Sequence, residues 1–386
     1  MFSGTEDQER ALEEILRWIE RGTSSFLTLG GYAGTGKTTL IARLRTLLTD
    51  KNKGLRVAFC AYTGKASQVL NAKLREQQAL GPEDSVTTIH GLIYEAITDD
   101  EGQLLEWRRR RKINASLIIL DEASMVGHAL WSDLLSYGVP ILAVGDHGQL
   151  PPVNDTFSLM ADPELRLERI HRQAEDSAII QISKLIRERG ELPFGKFGPG
   201  VSRVHSHEID FEELLGSWNS ETLYLAGRNT TRVNLNRRIR AYMGIESEIP
   251  VRGDRVICLR NNWQKHIFNG QLGELADVVE APEKEGRRHW FRAEVNFEDG
   301  GLYRGLVSRH QFDQPRTLTE VPGLAKGEIG DLFDYGYALT VHKAQGSQAR
   351  RAVVFEERIM REEDLWRRWL YTAVTRAESE LLIVAS

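Results

Sequence analysis

The chain has 386 residues, 41% of them hydrophobic, enough to bury at least two cores of ordinary domain size. Its formal net charge of −5 excludes a global positive field as the means of holding nucleic acid, so any such site must be a local track of basic or hydrogen-bonding groups. Cys60 and Cys258 both sit in apolar runs and exclude a disulfide framework or a cysteine zinc site; with no leader pattern and no apolar run of about 18 residues, the expectation is a soluble, cytoplasmic protein with no membrane partner.

Thr5-Glu6-Asp7-Gln8 has the spacing of a helix capping box, and Ala11, Leu12, Ile15, Leu16 and Ile19 then line one face of a predicted helix. Gln8 has two readings: a cap for Thr5, or an amide whose paired donor and acceptor read an adenine edge. Ser25–Leu29 reads as a short buried strand and Thr39–Leu48 as a helix, and Gly31-Tyr32-Ala33-Gly34-Thr35-Gly36-Lys37-Thr38 between them is a phosphate-binding loop. In that reading Gly34, Thr35, Gly36 and Thr39 belong to a cradle of N–H groups at the positive end of the helix, Lys37 reaches the β- and γ-phosphates, and the Thr38 hydroxyl sits on Mg²⁺. The plain alternative is a fortuitous glycine turn.

Arg56–Ala61 predicts a second strand, running into the polar turn Tyr62–Ala66. There Thr63 and Lys65 either face a ligand phosphate or make an ordinary strand-to-helix connection, and Val86–Gly91, with Thr88 and His90, is open in the same way. Leu92–Ile113 reads as an insertion: Ile93–Thr98 and Gln103–Trp107 flank the turn-rich Asp99–Gly102, a hairpin pattern. The run Arg108–Lys112 is either a solvated face or the basic root of a hairpin that touches a duplex.

Leu117–Glu122 is an apolar strand ending in two carboxylates, as when a central parallel strand delivers acids to the sheet edge where ligands bind. Asp121 is suited to hold Mg²⁺ and Glu122 to take a proton from an attacking water. Ile141–Val144 brings Gln149 to the same edge, where an amide senses a γ-phosphate; Arg172 either supplies charge to a transition state or is an ordinary surface arginine. Glycine and proline in Leu192–Val201 mark a loop between lobes.

A second α/β unit follows: strand Thr222–Ala226, helix Thr230–Met243 and strand Arg255–Leu259. Arg228, Arg232, Arg237, Arg238 and Arg240 make the helix and its entry basic, for solvent or for a phosphate backbone. Asn269-Gly270 and Asp299–Gly301 bracket strand patterns at Gly273–Val279, His289–Phe297 and Leu302–Val307, as in a small barrel. The α/β pattern resumes at Tyr337–Ser347, then strand Ala352–Phe355, helix Leu365–Thr375 and strand Leu381–Ala385.

Taken in order, the phosphate loop, LIILDE, GDHGQLPPV, RNNW with FNGQLG, DYGYALTVHKAQGSQ and LYTAVTRA resemble the helicase motifs of superfamily 1B, and are similar to RecD- and Dda-like DNA helicases from Gln8 to Arg376. The resemblance implies an α/β fold of two RecA-like parallel-sheet domains, residues 1–91 with 114–173 and residues 174–262 with 333–386. A strand-separating pin hairpin at 92–113 and an SH3-like small β-barrel at 263–332 are then insertions. It also implies roles. Gln8 reads adenine, and Lys37, Thr38, Asp121, Glu122 and Gln149 form the ATP and Mg²⁺ machinery, with Gly346 in the nucleotide site and Arg172 and Arg376 reaching the γ-phosphate. Thr63, Lys65, Thr88, His90, Pro152, Arg228, Asn229, Thr340, His342 and Lys343 line single-stranded DNA, and His171 departs from the aromatic often found in relatives.

The function so implied is an ATP-dependent helicase moving 5′ to 3′ on single-stranded DNA and opening duplex junctions, with partners among replication or recombination proteins. The residues leave two rivals: an RNA-directed helicase, because backbone readout discriminates weakly, and a nucleic-acid-stimulated ATPase subunit that does not unwind by itself.

Overall fold

Apolar runs closed by glycine turns become buried parallel strands, and they do so twice along this chain. The computed structural model describes residues 4–52, 54–98, 104–152, 155, 157–170, 177–262, 264–265, 267–284, 286–298 and 300–385. Met1–Glu191 with Arg367–Thr375 form one unit, and Leu192–Trp366 with Arg376–Ser386 a second.

In the first unit, helices α1 (Glu6–Arg21), α2 (Lys37–Lys51), α3 (Gly64–Glu76), α4 (Ile89–Ile93), α5 (His128–Leu135) and α6 (Ala178–Arg189) alternate with strands. The strands are β1 (Phe26–Gly31), β2 (Val57–Ala61), β3 (Ser85–Thr88), the hairpin β4 (Tyr94–Thr98) and β5 (Leu104–Arg109), β6 (Leu117–Asp121), β7 (Ile141–Gly145) and β8 (Leu165–Leu167). Six of them make a parallel sheet in the order β3-β2-β6-β7-β1-β8. Alternation along β6 and β7 divides the core: Leu117, Ile119, Leu142 and Val144 pack with α1, α2 and α3, whereas Ile118, Leu120, Ile141 and Ala143 pack with α4 and α5. Both faces are therefore covered, which is why β6 reads as one uninterrupted apolar run. The capping box forms, with Thr5 N–H donating to Gln8 Oε1 at 2.9 Å, and Gly22 closes α1 at φ +60°.

The hairpin also forms, and its root is fixed to α5. Tyr94 Oη and Arg109 Nη1 both donate to the Asp133 carboxylate, and Tyr137 Oη donates to the carbonyls of Ile93 and Arg110. Arg108 pairs with Glu95 at 3.1 Å, so the first two arginines of the basic run hold the hairpin, while Arg110, Arg111 and Lys112 are exposed.

The second unit contains β9 (Gly195–Gly198), β10 (Val201–His205), α7 (Phe211–Gly216), β11 (Thr222–Ala226), α8 (Asn229–Tyr242), β12 (Arg255–Cys258), β13 (Leu272–Glu280), β14 (Trp290–Phe297), β15 (Leu302–Ser308), β16 (Phe333–Tyr335), β17 (Ala338–Thr340), β18 (Ala349–Phe355) and β19 (Ala377–Ala385). One sheet, in the order β17-β11-β18-β19-β10-β9, is parallel except for its edge strand β9. The other is antiparallel, in the order β15-β14-β13-β12-β16. Helix α9 (Glu363–Val374) precedes β19, and its residues from Arg367 onward belong to the first unit.

Two expectations are corrected here. Arg255–Leu259, read as a strand of the second α/β unit, is instead β12 of the antiparallel sheet, where Val256 lies opposite both Gly273 and Tyr335. A four-residue apolar run has no period that tells parallel from antiparallel pairing; the partner decides. The basic face of α8 is also smaller than it reads. Arg232 pairs with Asp334 at 2.8 Å and Arg240 with Asp254 at 2.8 Å, all four side chains being 5% exposed or less. Their carboxylate partners lie on or beside the antiparallel sheet, which α8 alone does not reveal. Beyond β15, Ser308 N–H donates to Asp331 O and Asp331 N–H to Leu306 O, both at 2.9 Å, so that edge meets the residues just before β16.

Candidate active site

The site is built at the carboxyl edge of the first sheet. β1 ends at Gly31, and the loop after it turns through Gly34 (φ +80°) and Gly36 (φ +76°), conformations that an L side chain resists. A Cβ on Gly31 would stand 2.7 Å from Thr35 Oγ1, which itself donates to Tyr32 O at 2.8 Å. Gly36 is the N-cap of α2 and offers no side-chain acceptor, so the first N–H groups of that helix, on Lys37, Thr38 and Thr39, face the loop without a side-chain cap. The Lys37 ammonium donates to Gly31 O (2.5 Å) and Tyr32 O (3.0 Å), using loop carbonyls as its acceptors. Gln8 does two jobs: Oε1 caps Thr5, while Nε2 donates to Thr35 O at 2.8 Å, tying α1 to the loop. Asp7 beside it accepts from the N–H groups of Glu168 (2.8 Å) and Arg169 (2.9 Å), just after β8.

β6 delivers Asp121 to the same edge, where its Oδ1 accepts from Glu122 N–H at 2.9 Å. Burial raises the Asp121 carboxyl above its usual range, although that hydrogen bond and the charges of Lys37 and Lys73 pull the other way. Glu122 stands at φ +52°, ψ +39°, a left-handed conformation rare for a residue with a side chain.

From the next strand, β7, the chain enters the loop Asp146–Leu150. Gln149 is 5% exposed, and its Oε1 has no hydrogen-bond partner among the described residues. The residues from Arg367 onward in α9 hold this loop. Tyr371 Oη donates to Asp146 Oδ2 (2.7 Å) and accepts from Ala33 N–H in the phosphate loop (2.8 Å). Thr372 Oγ1 accepts from Leu150 N–H (3.0 Å), and Arg368 donates to His147 O (2.7 Å). The Tyr32 ring lies 4.0 Å from that of His147 and 3.4 Å beneath the Arg187 guanidinium. Burial, reinforced by Arg166, Lys37 and Arg187 and opposed by Asp146, pushes the His147 imidazole down to about 4. Sequence reasoning passed over Asp146, Arg368 and Tyr371; the only signal was the order of motifs, since no local spacing connects them.

These residues fit a nucleoside triphosphate: a glycine loop with left-handed turns, a helix start with no side-chain cap, a lysine resting on carbonyls and a buried amide oxygen without a partner among the described residues. Among the described residues no group of three or more His, Cys, Asp or Glu side chains could hold a metal alone. A divalent ion held by Thr38 and Asp121 would have to take its other oxygens from phosphate or water.

In the second unit, Gly346 has φ +74°, and Arg376 donates to Ser347 O at 3.1 Å, so these two predicted residues are brought together. Arg172 and His171 lie outside the described residues. Three predicted threonines close turns just past strand ends: Thr63 accepts from Ala66 N–H (3.2 Å), Thr88 from Gly91 N–H (3.0 Å) and Thr340 from Lys343 N–H (3.4 Å). The His90 ring is 6.5 Å from Tyr62 and 5.9 Å from Tyr94. Burial lowers the pKa of both His90 and His342. Lys343 is brought down to about 8 by burial and by Arg232, against the pull of Asp334 and Cys258. Lys65 and Pro152 are half-buried, and Arg228 and Asn229 are exposed. The start of α8, read as a place for a phosphate, holds the chain's own anion: Glu357 accepts from Gly227 N–H (2.8 Å), Arg228 N–H (2.9 Å) and Thr231 Oγ1 (2.6 Å).

Residues 3–197 match the AAA domain family, and residues 335–384 match the UvrD-like helicase C-terminal domain. The ATP-dependent RecD2 DNA helicase of Deinococcus radiodurans is 30% identical over 391 residues, an alignment covering 93% of this chain and 47% of that protein. The RecBCD enzyme subunit RecD of Mycobacterium tuberculosis is 26% identical, covering 100% of this chain and 70% of the relative. The chain thus spans about half the length of the first and about two thirds of the second. Among solved structures, the Pif1 helicase from Bacteroides in complex with ADP-AlF3 and ssDNA superposes with a TM-score of 0.54 at 19% identity, covering 99% of this chain and 92% of that one.

Proposed function

Because the chain belongs to the AAA domain family and, within it, to the RecD-like helicases of superfamily 1B, we propose that it is the motor of an ATP-dependent DNA helicase, moving 5′ to 3′ along single-stranded DNA and parting duplex ahead of it. The observation that carries this reading is the meeting, at one sheet edge, of the phosphate loop, the Asp121-Glu122 pair and the unpartnered amide oxygen of Gln149.

In the proposed reaction the loop and the start of α2 hold the phosphates, and Lys37 exchanges its carbonyl acceptors for phosphate oxygens. Thr38 and Asp121 are the residues that would hold Mg²⁺, which when bound would neutralise charge on the phosphates. Glu122 accepts the proton of the attacking water and Gln149 orients it. Gln8 is the proposed reader of the base, Gly346 a proposed neighbour of the nucleotide, and Arg172 and Arg376 the proposed groups that stabilise charge on the transferred group. The threonines, His90, His342, Lys65, Lys343, Pro152, Arg228 and Asn229 are proposed contacts to single-stranded DNA.

The finer architecture belongs to the same reading. The hairpin β4–β5 is the proposed pin, supported by its anchorage to Asp133. The antiparallel sheet is the proposed SH3-like barrel, supported by the meeting of β15 with Asp331. Replication or recombination proteins are its proposed partners. The test is unwinding of duplexes bearing a 5′ or a 3′ single-stranded tail, with and without ATP and Mg²⁺. The expected result is ATP-dependent opening of the 5′-tailed duplex alone. Opening of the 3′-tailed duplex overturns the polarity, and ATP hydrolysis without any opening favours the ATPase-subunit rival.

A further inference from the structure

We propose that Tyr371 is a positioning residue of the ATPase reaction, its hydroxyl fixing the spacing between the phosphate loop and the loop that carries Gln149. The inference rests on the ATP-hydrolysing reading above.

Tyr371 is 0% exposed, and the hydroxyl is in contact with both loops at once. Its direction is fixed by chemistry: Ala33 offers an N–H, which can only donate, so the Tyr371 proton must go to the Asp146 carboxylate, a charge-assisted bond. Asp146 in turn shapes its own loop, accepting from Gly148 N–H at 2.9 Å on Oδ1 and from Gln149 N–H at 3.2 Å on its carbonyl. A single hydroxyl therefore stands between a backbone amide of the phosphate loop and the loop that carries the glutamine proposed to orient water. The fit around it is close, since a Cβ on Gly148 would lie 3.0 Å from ring carbons of both Tyr32 and Tyr371. The helix that supplies Tyr371 ends at Val374, and two residues on is Arg376, the proposed arginine finger.

Tyr371→Phe removes one oxygen and keeps the ring. It leaves Ala33 N–H and one Asp146 oxygen without this partner, so the two loops lose their link while the phosphate-binding groups stay. The expected result, in ATP hydrolysis stimulated by a DNA oligonucleotide, is a kcat lowered about ten- to a hundredfold by misplacement of Gln149, with KM for ATP changed by less than about twofold because ground-state binding is untouched. Tyr224→Phe is the matched control: it deletes another buried hydroxyl, which donates to Leu214 O at 2.5 Å in the second unit. That variant should lose comparable thermal stability and keep its kcat. Wild-type kcat in Tyr371→Phe, or a loss in both variants that tracks their loss of Tm, overturns the proposal. A wild-type chain that hydrolyses no ATP removes the functional reading itself, and is distinguished by appearing before any variant is made.

Discussion

Glu122 is the non-glycine residue at the sheet edge that adopts a left-handed backbone, at φ +52°, directly after the last residue of β6. Backbone strain of this kind persists where surrounding structure over-determines it and gathers at reactive sites. Glu122→Gln keeps the shape and removes the proposed base; turnover should fall about 10²- to 10⁴-fold while a fluorescent ATP analogue still binds, and unchanged turnover would assign the proton to another group. Asp7 gives a pH signature. Burial raises its pKa, but the Thr5 hydroxyl and the N–H groups of Arg169, Glu168 and its own residue outweigh that, and the net shift is downward. A depressed carboxyl contributes stability above its unfolded value of about 3.9 and loses it as pH falls through the folded value. Asp7→Asn should therefore flatten the acid limb of a stability curve measured by urea unfolding, with little difference from wild type in slope near neutrality. At this scale the sequence was readable where chemistry is local. The glycine loop, the capping box and the two acids each declare themselves within eight residues, whereas Tyr371 meets Ala33 across 338 positions and Asp146 across 225, separations that no spacing rule reaches.

Elements show the same division. Buried parallel strands were legible as apolar runs, and the hairpin as two short strands around a turn, because each pattern follows from what its own faces touch. β12 was misassigned because its four residues carry no period, and α8 looked more basic than it is because Asp254 and Asp334 are supplied from outside the helix. These arginines test the correction. Asp254 accepts from Arg240 on both oxygens and from Tyr337 Oη. Asp254→Ala should cost about 3–5 kcal/mol by stranding a buried guanidinium, measured by denaturant unfolding. A cost near zero would mean that Arg240 finds water. For the hairpin, Asp133→Ala cuts both ties to Tyr94 and Arg109, yet touches nothing in the phosphate loop. Its expected outcome is a severalfold loss of duplex unwinding with ATP hydrolysis on single strands intact; equal loss of both would remove the hairpin from strand separation.

For the whole molecule, a net charge of −5 means that the proposed attraction to DNA must come from individual contacts. If Lys65, Arg228 and Lys343 are the cations that meet phosphates, log K against log salt should fall with a slope of about −2, and each alanine substitution should flatten it by roughly 0.7. A slope several times steeper would mean that a basic surface elsewhere dominates. The division of the chain has a further consequence, for biosynthesis. Arg367–Thr375 complete the first unit, yet the whole span Leu192–Trp366 must be translated before they emerge. At ordinary ribosome speeds that delay is roughly ten to thirty seconds. Throughout it, the nascent first lobe holds Asp146 and Leu150 without the tyrosine and threonine that later satisfy them. The proposed nucleotide site is then finished late, so a growing polypeptide does not reach its assembled form until nearly all of the second lobe has been made.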